Sequence, residues 1–401
     1  MEKIRMGVIG LGNRGYALIG TVLSCEEAEI TSVSDVYQDR IDRAAEKVKK
    51  LRGNDVKKYI DYRELLNDTQ TDAILIASGW ENHVEAAVLA MKCGKAVAME
   101  VGGAYSIEDC YRLVDTYRET QTPFMLMENC CFDKFELLTT SLVRAGKLGE
   151  IVHCHGAYAH DLRDEVTGGN VNRHYRLNNY LRRNCENYPT HELGPIAKLL
   201  DINRGNRMVS LVSVASKSAG LKEYVKSRKP DPALEGKEFA QGDIVSTIIK
   251  CARGETITLT LDTTLPRYYS REFTVRGTKG LAWQEANMVI IENECDTHAY
   301  KENCNSADRY AEYLPPVWKN ITEEQLRLGH GGMDYLEFKA FFKALINGEE
   351  MPVDVYDAAA LMCVTTLSEK SIALGGMPQS VPDFTEGKWI LRPSKDVTEL
   401  S

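Results

Sequence analysis

Apolar positions along the chain follow two different rhythms. Between residues 4 and 127, short and almost wholly apolar runs recur at Ile4–Ile9, Ile30–Ser34, Ala73–Ala77, Ala96–Met99 and Phe124–Met127, with helical spacing between them, as at Tyr16–Leu23. Runs of this length and composition predict strands buried on both faces, and their alternation with helices predicts a parallel, doubly wound sheet. Beyond Cys130 the rhythm changes. A helical stretch, Glu136–Arg144, leads through Gly146-Lys147-Leu148-Gly149 to strands at Ile151–Tyr158, Met208–Ala215, Ile244–Cys251, Thr256–Asp262, Arg271–Val275 and Met288–Ile291. Gly277-Thr278-Lys279-Gly280 suits a hairpin turn. Strands without long helices between them predict a largely antiparallel sheet. Two helices, Met333–Ile346 and Tyr356–Ala373, close the pattern, and Lys217–Lys237 suits a surface loop or short helix. The expected fold class is α/β: an N-terminal Rossmann domain (1–128) with a doubly wound parallel sheet, then a C-terminal α/β domain (129–401) with a largely antiparallel open sheet.

The first strand runs into Gly10-Leu11-Gly12-Asn13-Arg14-Gly15 and then a helix. This is G-x-G-x-x-G in strand–turn–helix context. Gly10 allows the turn, Gly12 lets a pyrophosphate approach the backbone, and Gly15 lets the helix pack close. Asp35 ends the second strand, 20 residues beyond Gly15, where a carboxylate binds ribose hydroxyls and repels a 2′-phosphate. NAD is therefore favoured over NADP, although Arg40 lies near in sequence. A helix N-cap is the rival reading of Asp35. In parallel sheets ligands sit beyond the carboxyl ends of strands. That rule selects Trp80-Glu81-Asn82-His83, Glu100-Val101 and Glu128-Asn129. Singly, each has a structural alternative: a loop cover, a helix cap, a surface ion pair.

In the second part, Asn172–Tyr180 and Asn187–Ile196 are dense in Asn, Arg, His and Tyr. Tyr188 and His191, three apart, share a face if both lie in a first helical turn. Histidine, with a pKa near neutrality, can take a proton from a hydroxyl as hydride leaves the same carbon. His153, His155 and His160 raise the question of a metal, but no spacing identifies a complete ligand set, and no metal is expected. Gly329-His330-Gly331-Gly332-Met333-Asp334 suits a flexible loop entering a helix.

The 401 residues fit two domains. A net charge of −9 argues against nucleic acid. No apolar run spans a membrane and no signal peptide is evident at Met1–Met6. Eleven cysteines without a Cys-x-x-Cys suit a reducing cytoplasm.

On these residues the chain resembles the Gfo/Idh/MocA oxidoreductases over essentially its whole length, and within them most resembles glycoside hydrolase family 109, the NAD-dependent α-N-acetylgalactosaminidases. The resemblance is carried by Asn13-Arg14-Gly15, Trp80–His83, Glu100-Val101, Glu128-Asn129, Tyr158, Arg176, Tyr188–His191, Tyr269 and Gly329–Tyr335. Sugar dehydrogenases of the superfamily have Glu-Lys-Pro, with a catalytic lysine, where this chain has Glu100-Val101-Gly102. The family 109 glycosidases also have valine there, followed by proline. The resemblance implies that Asn13, Arg14, Asp35, Trp80, Asn82, His83, Glu100, Val101 and Asn129 hold NAD. It implies that Tyr158, Arg176, Tyr188, His191 and Tyr269 surround the sugar, with His191 and the three tyrosines as candidate proton carriers. The implied reaction is hydrolysis of a glycoside through transient oxidation at C3, elimination, water addition and re-reduction. The alternatives are an NAD-dependent sugar or cyclitol dehydrogenase forming a 3-keto sugar, and a non-catalytic dinucleotide sensor. A homo-oligomer, dimer or tetramer, is expected.

Overall fold

In the computed structural model, which describes residues 3–400, fourteen strands form two sheets. The strands are β1 (Ile4–Ile9), β2 (Ala28–Ser34), β3 (Lys57–Tyr59), β4 (Ala73–Ile76), β5 (Ala96–Glu100), β6 (Phe124–Met127), β7 (Ile151–Ala159), β8 (Met208–Ala215), β9 (Ile244–Cys251), β10 (Thr256–Asp262), β11 (Thr274–Gly277), β12 (Gly280–Trp283), β13 (Met288–Ile291) and β14 (Gln379–Ser380).

The first six form one parallel sheet in the order β3-β2-β1-β4-β5-β6. Their apolar side chains are buried on both faces, as in Met6, Val8, Ile74, Leu75, Val97 and Leu126. Burial on both faces is why these strands lack in–out alternation. Chain order reverses at β1, whose neighbours are β2 on one side and β4 on the other. A doubly wound sheet opens a ligand crevice at that point, beyond the strand ends.

The other eight strands run β13-β12-β11-β7-β10-β9-β8-β14. Only β7 and β10 pair in parallel; the remaining pairs are antiparallel. Here alternation is clear: along β10, Ile257, Leu259 and Leu261 are buried while the threonines between them are partly open. One face is packed and the other is not.

The expected strand Arg271–Val275 forms only from Thr274 onward. Glu272 adopts a left-handed φ of 47°, which breaks extended backbone. The Arg271 guanidinium is held by Asp133 and Glu136, at 2.9 and 2.7 Å. Strands β3, β12 and β14 are too short or too exposed for a clear sequence pattern. Gly277 and Gly280 bracket the β11–β12 hairpin as expected, and Lys217–Lys237 contains the short helix Gly220–Arg228.

By compactness the chain divides into a first unit, residues up to Phe132 together with 320–359, and a second, 133–319 together with 360 onward. The expected boundary at 128/129 lies close to the first division. Residues 320–359 join the first unit because the helix Met333–Asn347 packs on the helix Asn13–Ser24. No helix of the described residues is long and apolar enough to cross a membrane.

Candidate active site

In the first unit, β1 enters a turn in which each glycine has a separate physical reason. Gly10 has φ +89°, and a Cβ there would lie 2.4 Å from the Ser78 nitrogen at the end of β4. A Cβ at Gly15 would lie 1.9 Å from the Gly10 carbonyl oxygen, so helix and turn could not approach. At Gly12 a Cβ would meet little, Arg40 Nη1 at 3.7 Å being the neighbour. Gly12 is also the N-cap of Asn13–Ser24, where no side chain caps the helix and the first turn holds no acid. A helix end of this kind, with its N–H groups and partial positive charge, fits a pyrophosphate.

Asp35 follows β2. Its Oδ2 accepts the Leu11 N–H at 2.7 Å, and its Oδ1 accepts the Tyr37 N–H at 3.0 Å. The N-cap of the next helix is Tyr37, so Asp35 is not a cap. Arg40 Nη1 lies 3.8 Å from its Oδ2. The carboxylate thus ties the end of β2 to the glycine turn.

At the ends of β4, β5 and β6 the expected residues are mostly buried. Trp80 and Asn82 lie in one short turn, with Trp80 buried and Asn82 exposed. His83 opens the helix His83–Lys92, its Nε2 3.0 Å from the Ser78 carbonyl oxygen, and burial pushes its pKa down to about 4. It is therefore a neutral ring. Gly102, the departure from the family pattern, makes room for Trp80: a Cβ there would lie 2.7 Å from the indole Cδ1. Val101 is buried beside it.

The chief addition in this unit is a carboxylate network. Arg14 binds Glu100 Oε1 through Nε at 3.0 Å and Asp334 Oδ2 through Nη1 at 2.5 Å. Asn129 Nδ2 donates to Asp334 Oδ1 at 2.7 Å, and His330 Nδ1 lies 3.1 Å from Asp334. Asp334 titrates below the usual carboxylate range; burial opposes this, and hydrogen bonds and charge from His330 and Arg14 overcome it. A Cβ at Gly329, whose φ is +67°, would lie 2.2 Å from Asp334 Oδ2. The glycine loop therefore lets Asp334 tuck under it. Glu337, one turn on, is fully buried, and its pKa is pushed up by burial and by Glu100 and Asp334. Sequence reading assigned neither acid. An acid between Leu336 and Phe338 in a helix with apolar spacing was the available signal for Glu337; Asp334 was read only as the end of the glycine loop, its partner Arg14 being 320 residues away.

In the second unit, the five expected sugar-facing residues come together. Tyr158 lies on β7, Arg176 opens the helix Arg176–Arg182, Tyr188 precedes the helix Thr190–Leu199, His191 lies in its first turn, and Tyr269 lies between β10 and β11. The Tyr158 and Tyr188 rings are 4.4 Å apart, and Tyr188 Oη is 3.4 Å from His191 Nε2. Arg176 stands over the Tyr188 ring at 4.8 Å and binds Glu165 at 2.8 Å. Tyr269, about half exposed, packs edge-on to Tyr158 and His160. Burial pushes the Tyr158 hydroxyl up to about 12, opposed by Arg176, so it stays protonated.

His160 and Glu165 were not assigned to this cluster from sequence. His160 Nδ1 lies 3.3 Å from Tyr158 Oη. The other histidines of the metal question have separate partners: His153 meets Thr256 Oγ1 at 2.9 Å, and His155 meets Glu272 at 3.3 Å.

A family model described as "Glycosyl hydrolase 109, C-terminal domain" matches residues 132–391, and one described as "Oxidoreductase family, NAD-binding Rossmann fold" matches 4–127. A relative named alpha-N-acetylgalactosaminidase, from Tannerella forsythia, is 36% identical over 97% of this chain and 88% of its own length. One named glycosyl hydrolase family 109 protein 2, from Phocaeicola vulgatus, is 37% identical over 96% of this chain and 95% of its own. Among solved structures, levoglucosan dehydrogenase in complex with NADH and levoglucosan has a TM-score of 0.71 at 18% identity, covering 95% of this chain and all of that one. Scyllo-inositol dehydrogenase from Lactobacillus casei, with NAD(H) and scyllo-inositol, has 0.66 at 15%, covering 95% and 99%. At such identities these two show a common fold.

Proposed function

Because this chain belongs to glycosyl hydrolase family 109 and begins with an NAD-binding oxidoreductase domain, we propose that it hydrolyses N-acetylgalactosaminides with NAD that is regenerated at each turnover. The functional division is placed at 128/129, dinucleotide binding before it and sugar chemistry after it. The observation that carries the reading is the imidazole–phenol cluster of Tyr188, His191 and Tyr158, with Val101 where a dehydrogenase lysine would stand.

Gly10, Gly12, Asn13, Arg14, Gly15, Asp35, Trp80, Asn82, His83, Glu100, Val101 and Asn129 are the residues assigned to the dinucleotide. Asp35 excludes a 2′-phosphate, and Arg40, close to Asp35, has its charge offset there. When bound, NAD supplies reversible hydride acceptance at a sugar carbinol carbon, and the resulting carbonyl acidifies the neighbouring C–H.

The chain's own groups then handle protons. His191 Nε2 takes the proton of the reacting hydroxyl and later returns it, with Tyr188 Oη as its relay partner. Tyr158, held protonated, donates to developing oxygen charge, and Arg176 adds a fixed positive charge. Tyr269 is the outermost of the five. Since a carbonyl rather than an oxocarbenium-like state bears the strain of bond cleavage, the paired carboxylates of ordinary glycosidases are not required.

Incubation of the purified protein with a nitrophenyl glycoside panel, without added NAD, is the test. Aglycone release with no lasting absorbance at 340 nm supports the glycosidase. NADH accumulating in proportion to added NAD would establish the dehydrogenase instead.

The outward face of the second sheet exposes Val214 and Ile248. We assign this apolar face to a second copy of the chain, giving a dimer or tetramer, which light-scattering mass checks. None of the cysteines among the described residues is joined in a disulfide, which fits a cytoplasmic enzyme.

A further inference from the structure

Two carboxyl groups straddle the segment that carries Tyr188 and His191. Glu186 precedes it and Glu192 follows it, and the two are 0% and 1% exposed. They face one another: the Glu186 carboxyl is in hydrogen-bonding contact with that of Glu192. Glu192 Oε2 also accepts the Thr260 N–H of β10 at 3.3 Å. Neither Glu186 oxygen, nor Glu192 Oε1, has a donor that completes good hydrogen-bond geometry. Ionised carboxylates only accept, so two of them can meet in this way only if one carries a proton.

The surroundings fix both ends. The Glu186 N–H donates to Ser368 Oγ at 2.8 Å. Glu192 sits against β7 at Gly156, where a Cβ would lie 2.7 Å from the Glu192 carbonyl oxygen. The neighbouring ionisable groups are the Cys185 thiol, whose titration is pushed up by burial and by Glu186, and the Arg183–Glu369 ion pair; from the backbone, the Tyr188 N–H bears on Glu186 and the Tyr158 N–H on Glu192. Arg183 spends its charge on Glu369 at 2.5 Å. Burial pushes both members of the glutamate pair upward; Glu186 further opposes ionisation of Glu192, whereas the hydrogen bond from Glu192 favours the charged form of Glu186, so the shared proton rests on Glu192.

We propose that Glu186 and Glu192 share one proton across a carboxyl–carboxyl hydrogen bond that staples the two ends of the Tyr188–His191 segment, and that both are positioning residues for the imidazole–phenol pair. The proposal rests on the glycosidase reading only for its kinetic arm. Loss of the shared proton leaves two like charges in a buried site, which pushes the ends of the segment apart. Glutamine at either place supplies a donor that needs no proton, whereas leucine supplies none.

The experiment uses the full-length holoenzyme and three variants, Glu186→Gln, Glu192→Gln and Glu186→Leu, across pH 6–10. Wild type loses kcat on its alkaline side with KM nearly constant. At pH 7 Glu186→Gln keeps kcat within about threefold of wild type and its alkaline loss is shifted or gone. Glu186→Leu loses at least tenfold in kcat at pH 7. Gln behaving as Leu does at pH 7, or an alkaline limb unchanged in both Gln variants, overturns the proposal.

Two readouts need no turnover. The native pair keeps a proton that the unfolded chain gives up above the ordinary glutamate range, so Tm falls as pH rises through neutrality, and Glu186→Gln flattens that fall. The imidazole NMR signal of His191, assigned through His191→Ala, shows in wild type a second pH-dependent step beyond the ring's own protonation, and in Glu186→Gln only the ring's own step. An enzyme inert on every glycoside would sink the glycosidase reading, and the staple would then be decided by the NMR signal: a second step lost in Glu186→Gln supports it, and identical titration curves in the two proteins overturn it.

Discussion

In the first unit the turn assigned to the dinucleotide occupies six consecutive residues, Gly10–Gly15, and its geometry is imposed by backbone contacts at a few ångströms. In the second unit, Tyr158, Arg176, Tyr188, His191 and Tyr269 come from a strand, two helices and two loops spread over more than a hundred residues. The first arrangement tolerates no added Cβ at Gly10 or Gly15. The second consists of nothing but side chains, and its precision depends on how the helix Thr190–Leu199 lies on β7. A local device should fail when one atom is added. An assembled one should fail when its supports move.

The largest expected effect separates chemistry from binding. His191→Ala should lower kcat by about 10²–10⁴-fold, the ordinary range for a lost acid–base group, with cofactor content unchanged. Unchanged turnover on the active glycoside would remove His191 from the chemistry.

Next comes a pH effect confined to the first unit. His83 titrates near 4 in the folded protein and near 6.5 unfolded. Between those values the unfolded chain binds more protons, so this contribution to stability is complete above about pH 6.5 and is lost as pH falls toward 4. The span is worth about 3 kcal/mol. Tm measured over that range should fall less steeply in His83→Gln, and an identical slope would mean the ring is not buried neutral.

Gly156→Ala tests the supports of the second cluster. Its new Cβ would meet the Glu192 carbonyl oxygen at 2.7 Å, so the first turn of the Thr190–Leu199 helix must shift. Overpacking of this kind costs about 1–3 kcal/mol. Turnover should fall along with Tm while dinucleotide affinity stays the same. Loss of affinity instead would break the contrast between the two regions.

The smallest effect is expected at Asp35→Ala. It removes a charged acceptor from the glycine turn and from the ribose, and should weaken NAD by about tenfold, on the order of 1.4 kcal/mol, without loss of fold. Titration of NAD by calorimetry measures it. NADP should gain relative to NAD, because the repulsive carboxylate is gone.

Much of the first unit was legible because its information is local. Apolar runs announced five of the six parallel strands, the glycine spacing announced the turn, and Asp35 stood at the strand end the rule requires. The missing strand, β3, is a three-residue edge strand with two exposed lysines, and nothing in its pattern distinguishes it from a loop. In the second unit the chemistry-bearing residues were legible as a dense segment, but their companions were not. Glu165 and His160 join the cluster through Arg176 and Tyr158, partners that no local spacing predicts. The early start expected for β11 missed the left-handed backbone at Glu272 and the buried Arg271–Glu136 pair.

What the sequence by itself determined was wherever a residue type is forced by its own backbone or by its immediate neighbours: which segments are strands, the α/β class, the glycine turn, and the absence of lysine at position 101. What only the tertiary structure decided was which charges meet. Arg14 finds Asp334 320 residues along the chain, and Glu186 meets Glu192 from the other end of the Tyr188–His191 segment. Such pairs depend on burial and distance in three dimensions. A one-dimensional pattern records the presence of acids but not the low-dielectric sites that give them their work.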